Sequence, residues 1–525
     1  MSITVPKWSL FELELTSQTE YENPLQDVLL TATFVSDSGT VRRVDGFWDG
    51  GTQWKVRFSP PSTGIWRYTT ECSDPHNHGL IGQTGTFTSV EGEGGHRFQQ
   101  HGPIKVSDNG RFLAHADGTP FFYLADTAWN APLFSTDDEF RHYLDVRERQ
   151  GFTAVQWVGT QWISAPEGDL EGRLPFTGHE RIAINPDVYR RLDQKLAQMN
   201  SRGMLGVPVL LWAADWGEFE VMRINPGLTL PEDQAILLAR YMVARWGAYQ
   251  VLWILAGDAE YRGPRAERFR RIGRAVFNGR EHAPVVLHPN GMSWHADEFR
   301  DENWLDVLGY QGCHFGDDRA LTWAVYGPPA TEWRLKPQRP IINLEPPYEN
   351  HADLSNLQRR FNADDVRRAI YWSLLVSPTA GVTYGGHGVW AWDDGSGPPT
   401  AHATSGTPLP WREALVMPGA EQIRHVADLF QSLNWWRLVP DASLIKEQPG
   451  ETDIVRYVAA ARTDEGDLAL IYVPADRRIE LDLSRLQAGL LAEWVNVRTG
   501  QRTMVSVEGS SFLTPEAGDW LLLLR

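Results

Sequence analysis

Along the first 95 residues apolar and polar positions alternate in short runs. In TQWKVRFSP, Trp54, Val56 and Phe58 fall on one side and Lys55 and Arg57 on the other, which is the period of a half-buried strand. WSLFELELTS, DVLLTATFVS and GIWRYTTEC are of the same kind, rich in β-branched and aromatic residues. Asp37-Ser38-Gly39, Asp49-Gly50-Gly51 and Pro60-Pro61 interrupt them where turns are needed. About seven such strands predict a β-sandwich over residues 1–95, ending in the Gly-rich stretch Gly92-Glu93-Gly94-Gly95.

From residue 96 to 437 the pattern changes to apolar runs alternating with helical periods. Eight strands are predicted: Phe121–Ala125, Ala154–Val158, Leu205–Leu211, Val251–Leu255, Val285–His288, Leu305–Tyr310, Ile341–Leu344 and Gly381–Tyr384. Several are apolar throughout, as strands covered on both faces must be. Helices between them are announced by a capping box at Thr136 and Glu139, by Asn185-Pro186 ahead of Tyr189, Leu192, Leu196 and Met199, by Pro231, and by a run from Asp364 to Val376. Eight βα units predict a (β/α)8 barrel, with a doubly wound open sheet as the alternative. Residues 438–525 return to strand signals (DIVRYVAAA, DLALIYVPA, RIELDLS, LAEWVNV, DWLLLLR) and predict a second, smaller β-sandwich.

Composition narrows what such a protein can do. Forty-nine Lys+Arg against 67 Asp+Glu give a net charge of -18, which repels phosphate backbones and anionic lipid. Nucleic acid and membrane are therefore excluded as expected partners, and no apolar run reaches 18 residues. The opening MSITVPKWSLFELELTS has neither a basic n-region nor an apolar h-region, so a cytoplasmic location is expected. Cys72 and Cys313 are too few and too far apart for a disulfide framework or a thiolate cluster. Trp, at 23, outnumbers Tyr at 15 and Phe at 21, and its flat apolar face with one donor suits a core as well as stacking on sugar rings.

In a barrel of this kind the chemistry sits where strands end. The ends carry Asp126 and Trp129, Trp162, Trp212 with Asp215, Gly257-Asp258, His288, Gln311 and His314, Glu345 with Tyr348, and finally His387, Trp390 and Trp392. Aromatic and hydrogen-bonding groups crowd one rim, as a polyhydroxylated ligand requires. Asp258 and Glu345 end strongly apolar strands, VLWILAGD and PIINLE, and strands four and seven face each other across the mouth. Two carboxyls about 5–5.5 Å apart, one protonated and one ionised, are the equipment of retaining glycoside hydrolysis. Glu345 would then be the nucleophile and Asp258 the acid/base. Read from the residues alone, either could instead cap a helix or pair with an arginine, and Glu260 and Glu349 compete from the adjoining loops.

The runs PFFYLADTAWN, WILAGDAEY and PIINLEPPYE resemble the apiosidase-like glycoside hydrolase family, whose catalytic domain is a (β/α)8 barrel. YENPLQDVLLTATF with GFWDGGTQWKVRFSPPSTGIWRYTT is similar to the β-sandwich that precedes such barrels, and IYVPADRRIELDLS with WVNVRTG to the β-domain that follows them, named for collagen binding. The resemblance implies Asp258 as acid/base, Glu345 as nucleophile, and Asp126 and Trp129 at the site. It implies a glycoside or oligosaccharide substrate and no cofactor, and leaves the sugar open among apiosides, arabinofuranosides and other furanosides. Trp162, Trp212, His288, Gln311, His314, Tyr348, His387 and Trp390 are the further expected substrate contacts.

Two other readings stay in view. His288, His314 and His387 with Asp258 could hold Zn²⁺ in a metal-dependent hydrolase, although His179-Glu180 is no zincin motif because residue 183 is Ala. A non-catalytic carbohydrate-binding protein would keep the Trp rim without needing two opposed carboxylates. No GxGxxG, Walker or GxSxG pattern occurs. The loops 159–185, 212–230 and 385–415 exceed the usual βα connection of about 2–6 residues and are expected to shape the pocket.

Overall fold

The computed structural model describes residues 3–92, 94–215, 224–475, 478–507 and 509–525. Its centre is an eight-stranded parallel sheet: β1 (Tyr123–Thr127), β2 (Ala154–Val158), β3 (Leu205–Trp212), β4 (Trp253–Gly257), β5 (Val285–Val286), β6 (Leu308–Gln311), β7 (Ile341–Glu345) and β8 (Gly381–Gly385). The strands lie in the order β5-β4-β3-β2-β1-β8-β7-β6. A parallel bridge between Val286 and Val307 joins the two ends and closes the barrel. Every residue of β1, β2, β3, β4 and β7 is buried, and β3 and β4 read as unbroken apolar runs for that reason.

The helices begin where the sequence places their caps. In α1 (Asp137–Arg149) Thr136 and Glu139 form the reciprocal capping box, and in α2 (Pro186–Ser201) Asn185 accepts from Asp187 N–H. Then come α3 (Glu232–Trp246), α4 (Gly263–Phe277), α5 (Asp318–Tyr326), α6 (Ala363–Leu375) and α7 (Pro418–Gln431). Several strands depart from the predicted bounds, β4 by two residues at each end. Phe121 belongs not to β1 but to an antiparallel pair with Leu113 below the barrel. Leu305 turns back on Glu302 before β6 begins. His288 has left the pairing of β5, yet its N–H still donates to the Ala256 carbonyl of β4 at 3.2 Å.

The N-terminal module is a sandwich of a five-stranded and a three-stranded sheet. Leu30, Ala32, Phe34, Trp66 and Phe87 from one meet Phe11, Trp54, Val56 and Phe58 from the other. The C-terminal module is a six-stranded antiparallel sheet with a two-stranded ribbon. Its period-two alternation divides its faces: Ala460, Ile471, Trp494 and Leu522 lie with the ribbon's Ile479 and Phe512, while Ala461, Leu470, Val495 and Leu521 join the barrel core.

A buried ion network ties the first module to the barrel. Arg57 donates through Nη2 to Asp193 of α2 at 2.8 Å, through Nη1 to the carbonyl of Arg245 at 2.9 Å and through Nε to Glu12 at 2.7 Å. Arg245 of α3 grips the same Asp193 with Nε and Nη2 at 2.8 and 2.7 Å, and Trp246 adds its indole N–H at 2.8 Å. Both guanidinium groups lie over the Phe47 ring, 5.0 and 4.8 Å from its centroid. Burial disfavours the Asp193 charge, but the two arginines hold its carboxyl below the ordinary range. Removing Asp193 takes away the carboxylate that the two buried guanidinium groups share, leaving Arg57 with Glu12 and Arg245 with Asp49 as their remaining countercharges. Asp193→Ala is therefore expected to lower stability by about 3–5 kcal/mol in chemical denaturation. A loss under about 1 kcal/mol would show that the network contributes little.

Candidate active site

Asp258 follows the last residue of β4, and Glu345 is the last residue of β7. Asp258 is in the left-handed region at φ 51°, one of few non-glycine residues there, a conformation that Asp tolerates better than most and that recurs at functional sites. The glycine before it has a separate reason. A Cβ on Gly257 would come within 2.5 Å of the Trp212 indole, so the Gly-Asp pair lets that ring lie flat against the strand end while Asp258 turns inward.

Both carboxylates are nearly covered, Asp258 at 8% exposure and Glu345 at 6%. One oxygen of each, with a nitrogen of His288, falls in a group whose atoms all lie within 4.8 Å of one another. His288 stands between the two: its Nε2 is 3.1 Å from Glu345 Oε2 and its Nδ1 is 3.7 Å from Asp258 Oδ1. His314 closes the other side, with Nε2 2.9 Å from Glu345 Oε1. The backbone fixes how the rings are turned. Asp258 N–H points to His288 Nδ1 and Tyr348 N–H to His314 Nδ1, each at 3.4 Å, so both rings aim Nε2 at Glu345. Burial disfavours the Glu345 charge, yet the His314 contact, the close approach of His288 Nε2 and the charges of both imidazoles outweigh it, and the carboxyl stays far below its ordinary range. Burial likewise opposes protonation of His288, but Glu345 and Asp258 raise its pKa.

The remaining predicted residues divide into those at the carboxylates and those behind them. Gln311 donates through Nε2 to Asp258 Oδ1 at 3.0 Å. Tyr348 accepts from the Trp129 indole at 3.2 Å, and burial together with Glu345 pushes its phenol well above the ordinary value. Trp129 packs edge-on against Trp212 and His288, and Trp212 packs on Trp162 at 4.3 Å. Trp129, Trp162, Trp212 and Trp390 are each 3% exposed or less, so these indoles build the wall behind the carboxylates and show no open stacking face. The Trp212 indole nitrogen has no partner among the described residues, whereas that of Trp162 donates to Asn130 Oδ1 at 2.7 Å.

Two expectations are corrected. Asp126 does not reach the site. Its side chain points outward to α1, where Tyr143 and the Arg147 Nε donate to it at 2.7 and 2.8 Å with both ionic partners wholly buried. His387 also faces away: it accepts from the Trp390 indole at Nδ1 and lies 2.8 Å through Nε2 from the Gly406 carbonyl, holding the 385–415 loop. That use of both nitrogens takes His387 out of any metal set with His288 and His314. Of the competing carboxylates, Glu349 receives Gly419 and Ala420 N–H at the start of α7 and the Tyr384 hydroxyl, so it serves the fold. Glu260 is half exposed beside Arg265. Part of the 212–230 loop, residues 216–223, lies outside the described residues.

Sequence reading passed over two neighbours of the pair. Asn343 accepts from Glu345 N–H and Gly312 N–H, each at 3.2 Å, and sets the turn out of β7. Its spacing of two from Glu345 on one strand was the available signal. His351 stacks on His314 at 4.1 Å, and no sequence pattern announces that contact.

A closed parallel barrel with opposed buried carboxylates at strand ends four and seven has the architecture of the barrel glycoside hydrolases. The chain belongs to the apiosidase-like family, whose catalytic-domain model matches residues 107–437. A domain of unknown function (DUF5060) matches residues 4–73, and a model named for collagen binding matches 439–525. Among curated proteins, none matches the sequence. The chain is similar to a crystal structure of a glycoside hydrolase family 5 protein from Bacteroides vulgatus ATCC 8482, at 22% identity and TM-score 0.70 over 81% of this chain and 93% of that one. It is also similar to a proposed glycoside hydrolase from the same organism, at 18% identity and TM-score 0.73 over 100% of this chain and 99% of that one. At these identities the likeness speaks for the fold; membership of the family makes the chain a glycosidase.

The two shifted groups give stability opposite pH signs. Glu345, depressed from 4.5, stabilises the fold fully above that value and less as pH falls through its folded pKa. His288, raised from 6.5, stabilises it fully below that value and less as pH rises through its own. His288→Gln should therefore lower the melting temperature most below pH 6.5 and progressively less as pH rises through the raised pKa of the folded state. A pH-independent decrement would show that His288 is never charged.

Proposed function

We propose that the chain hydrolyses a glycosidic bond with retention of configuration, with Glu345 as nucleophile and Asp258 as acid/base. The observation that carries this reading is the short reach between the carboxylates, an oxygen of each within 4.8 Å of the other. That supports the retaining separation of about 5–5.5 Å over the ~6.5–9.5 Å that a water-activating pair needs. In the first half-reaction Glu345 attacks the anomeric carbon while the glycosidic oxygen leaves with the proton of Asp258. In the second, Asp258 takes a proton from water, whose oxygen displaces the Glu345 ester. Glu345, held ionised by two imidazoles, is suited to attack, and Gln311 orients the Asp258 carboxyl. The family's name supports a pentofuranoside, an apioside or arabinofuranoside, as substrate.

A second reading has its own support: Asp258, His288 and Glu345 offer three ligand atoms within reach of one ion. Metal content of the purified protein, with and without chelator, separates the two. Stoichiometric metal required for turnover favours the metal reading, and full activity after chelation removes it.

Glu345→Gln is expected to reduce turnover of aryl pentofuranosides by several powers of ten with little change in melting temperature, because the covalent step is lost. An active variant would sink the assignment. Asp258→Ala should spare glycosylation by activated aryl leaving groups more than deglycosylation, and azide should partly restore turnover. First-formed product of retained configuration, read by NMR, completes the test; inverted product refutes the double displacement. Asp258→Asn that binds sugar without turning it over would distinguish an enzyme from a binding protein.

A further inference from the structure

A cleft of about 900 Å³ opens between the first module and the end of the barrel remote from the carboxylates. Trp253, in its wall, is the first residue of β4, whereas Asp258 follows the last. The volume is that of a small-molecule site, roughly 300–1,000 Å³. Its charge reverses that of the chain. Among the described residues the lining carries seven arginines and lysines against three carboxylates, in a sequence with 49 Lys+Arg and 67 Asp+Glu. A concave surface of one sign in a protein of the other sign concentrates counter-ions.

Part of that charge is spent within the protein. Arg57 is engaged by Asp193 and Glu12, and Arg42 pairs with Glu281. Arg240 of α3 and Arg280, just beyond α4, share the single carboxylate of Asp45, at 29% and 34% exposure. Each guanidinium has five N–H donors and gives Asp45 one, so most of them have no protein acceptor among the described residues. Lys105, on the strand Ile104–Val106, is exposed and has no ion-pair partner among the described residues. Lys7 lies over the Trp8 indole, 3.9 Å from its centroid, and Glu91 is no closer to it. A helix end favours cations, which accounts for Arg280 but not for Lys7 or Lys105.

Apolar side chains complete the wall, among them Val243 and Ala244 of α3 and Phe277 at the end of α4. Trp8 lines it in the left-handed region at φ 63°, a costly conformation for so bulky a residue. It is held there by its N–H on the Pro60 carbonyl at 2.9 Å and by Gln250, whose Nε2 donates to its carbonyl at 3.3 Å. Backbone strain of this kind gathers at ligand clamps.

We propose that this cleft binds a small organic anion with at least two acidic groups, and that the anion bridges the first module and the barrel. Arg240 and Arg280 hold one acidic group with the donors that Asp45 leaves over. Lys7 and Lys105 hold another, and the apolar wall covers the body of the molecule. Carboxylates and phosphates share the chemistry that such donors recognise. A ligand that binds only the folded chain, with contacts on both modules, stabilises their docking in proportion to its occupancy.

The test titrates citrate, a polycarboxylate, and fructose 1,6-bisphosphate, an organic phosphate, into the full chain by calorimetry, with inorganic phosphate alongside. At least one of the first two should bind saturably and more tightly than inorganic phosphate. It should also raise the melting temperature beyond sodium chloride of equal ionic strength. Lys105→Glu and Arg280→Gln should each weaken that binding by about 10-fold. Lys105 is exposed, so its variant keeps the test valid if Arg280→Gln fails to fold. Which of the two probes binds identifies the acidic group. No saturable binding of either, a melting shift that sodium chloride reproduces, or binding unchanged in a variant that folds overturns the site. Binding no tighter than that of inorganic phosphate overturns the organic ligand.

Discussion

A carboxylate at 6% exposure, held ionised at the end of an apolar strand, is the constraint around which the mouth of this barrel is arranged. Leaving it in a protein interior without partners would cost several kcal/mol, so its oxygens need polar or cationic groups close by. The chain supplies two imidazoles, and each imidazole must be turned correctly. Backbone N–H groups at Asp258 and Tyr348 perform that turning. The positive φ of Asp258 delivers its N–H and its carboxyl to the same histidine. The charge on β7 therefore dictates the backbone conformation after β4, across the barrel.

The aromatic wall follows from the same requirement. Excluding water costs the anion its hydration but strengthens the interactions it keeps with the imidazoles, since electrostatic interactions strengthen as the local dielectric falls. Trp129, Trp162, Trp212 and Trp390 interlock around Tyr348 and His288 with little of their surface left open. The excess of Trp in the composition is thereby accounted for in part by one shell, whose members serve the carboxylates through shape and exclusion.

The architecture was legible because it is written in local pattern. Apolar runs of strand length, a capping box at Thr136 and Glu139, and an Asn-Pro start at 185 report on residues within a few positions of each other, and the structure places them there. Strand ends were harder. Phe121 is as apolar as the residues of β1 but pairs with Leu113, a choice made by a partner eight residues away. Asp126 and His387 occupy the right end of the barrel in sequence and the wrong side of their elements in space. What decides between rim and helix layer is the direction of one side chain, and Arg147 and the Gly406 carbonyl, which settle it, are distant in sequence. Glu349 was a plausible rival to Glu345 until the start of α7, seventy residues on, claimed it.

The arginine that joins the first module to the barrel carries a consequence for how such chains can be rearranged. Domain shuffling presumes that a module can be cut at its linker and given a new neighbour. Here Arg57 sits inside the helix layer of the barrel, sharing Asp193 with Arg245 and Phe47 with the same guanidinium. Removing the sandwich would take from the barrel one of the two arginines on Asp193 and the Phe47 ring that covers Arg245. The sandwich and the barrel are separable in sequence but share buried charges, so a cut at the linker would leave ionic groups without their partners on both faces.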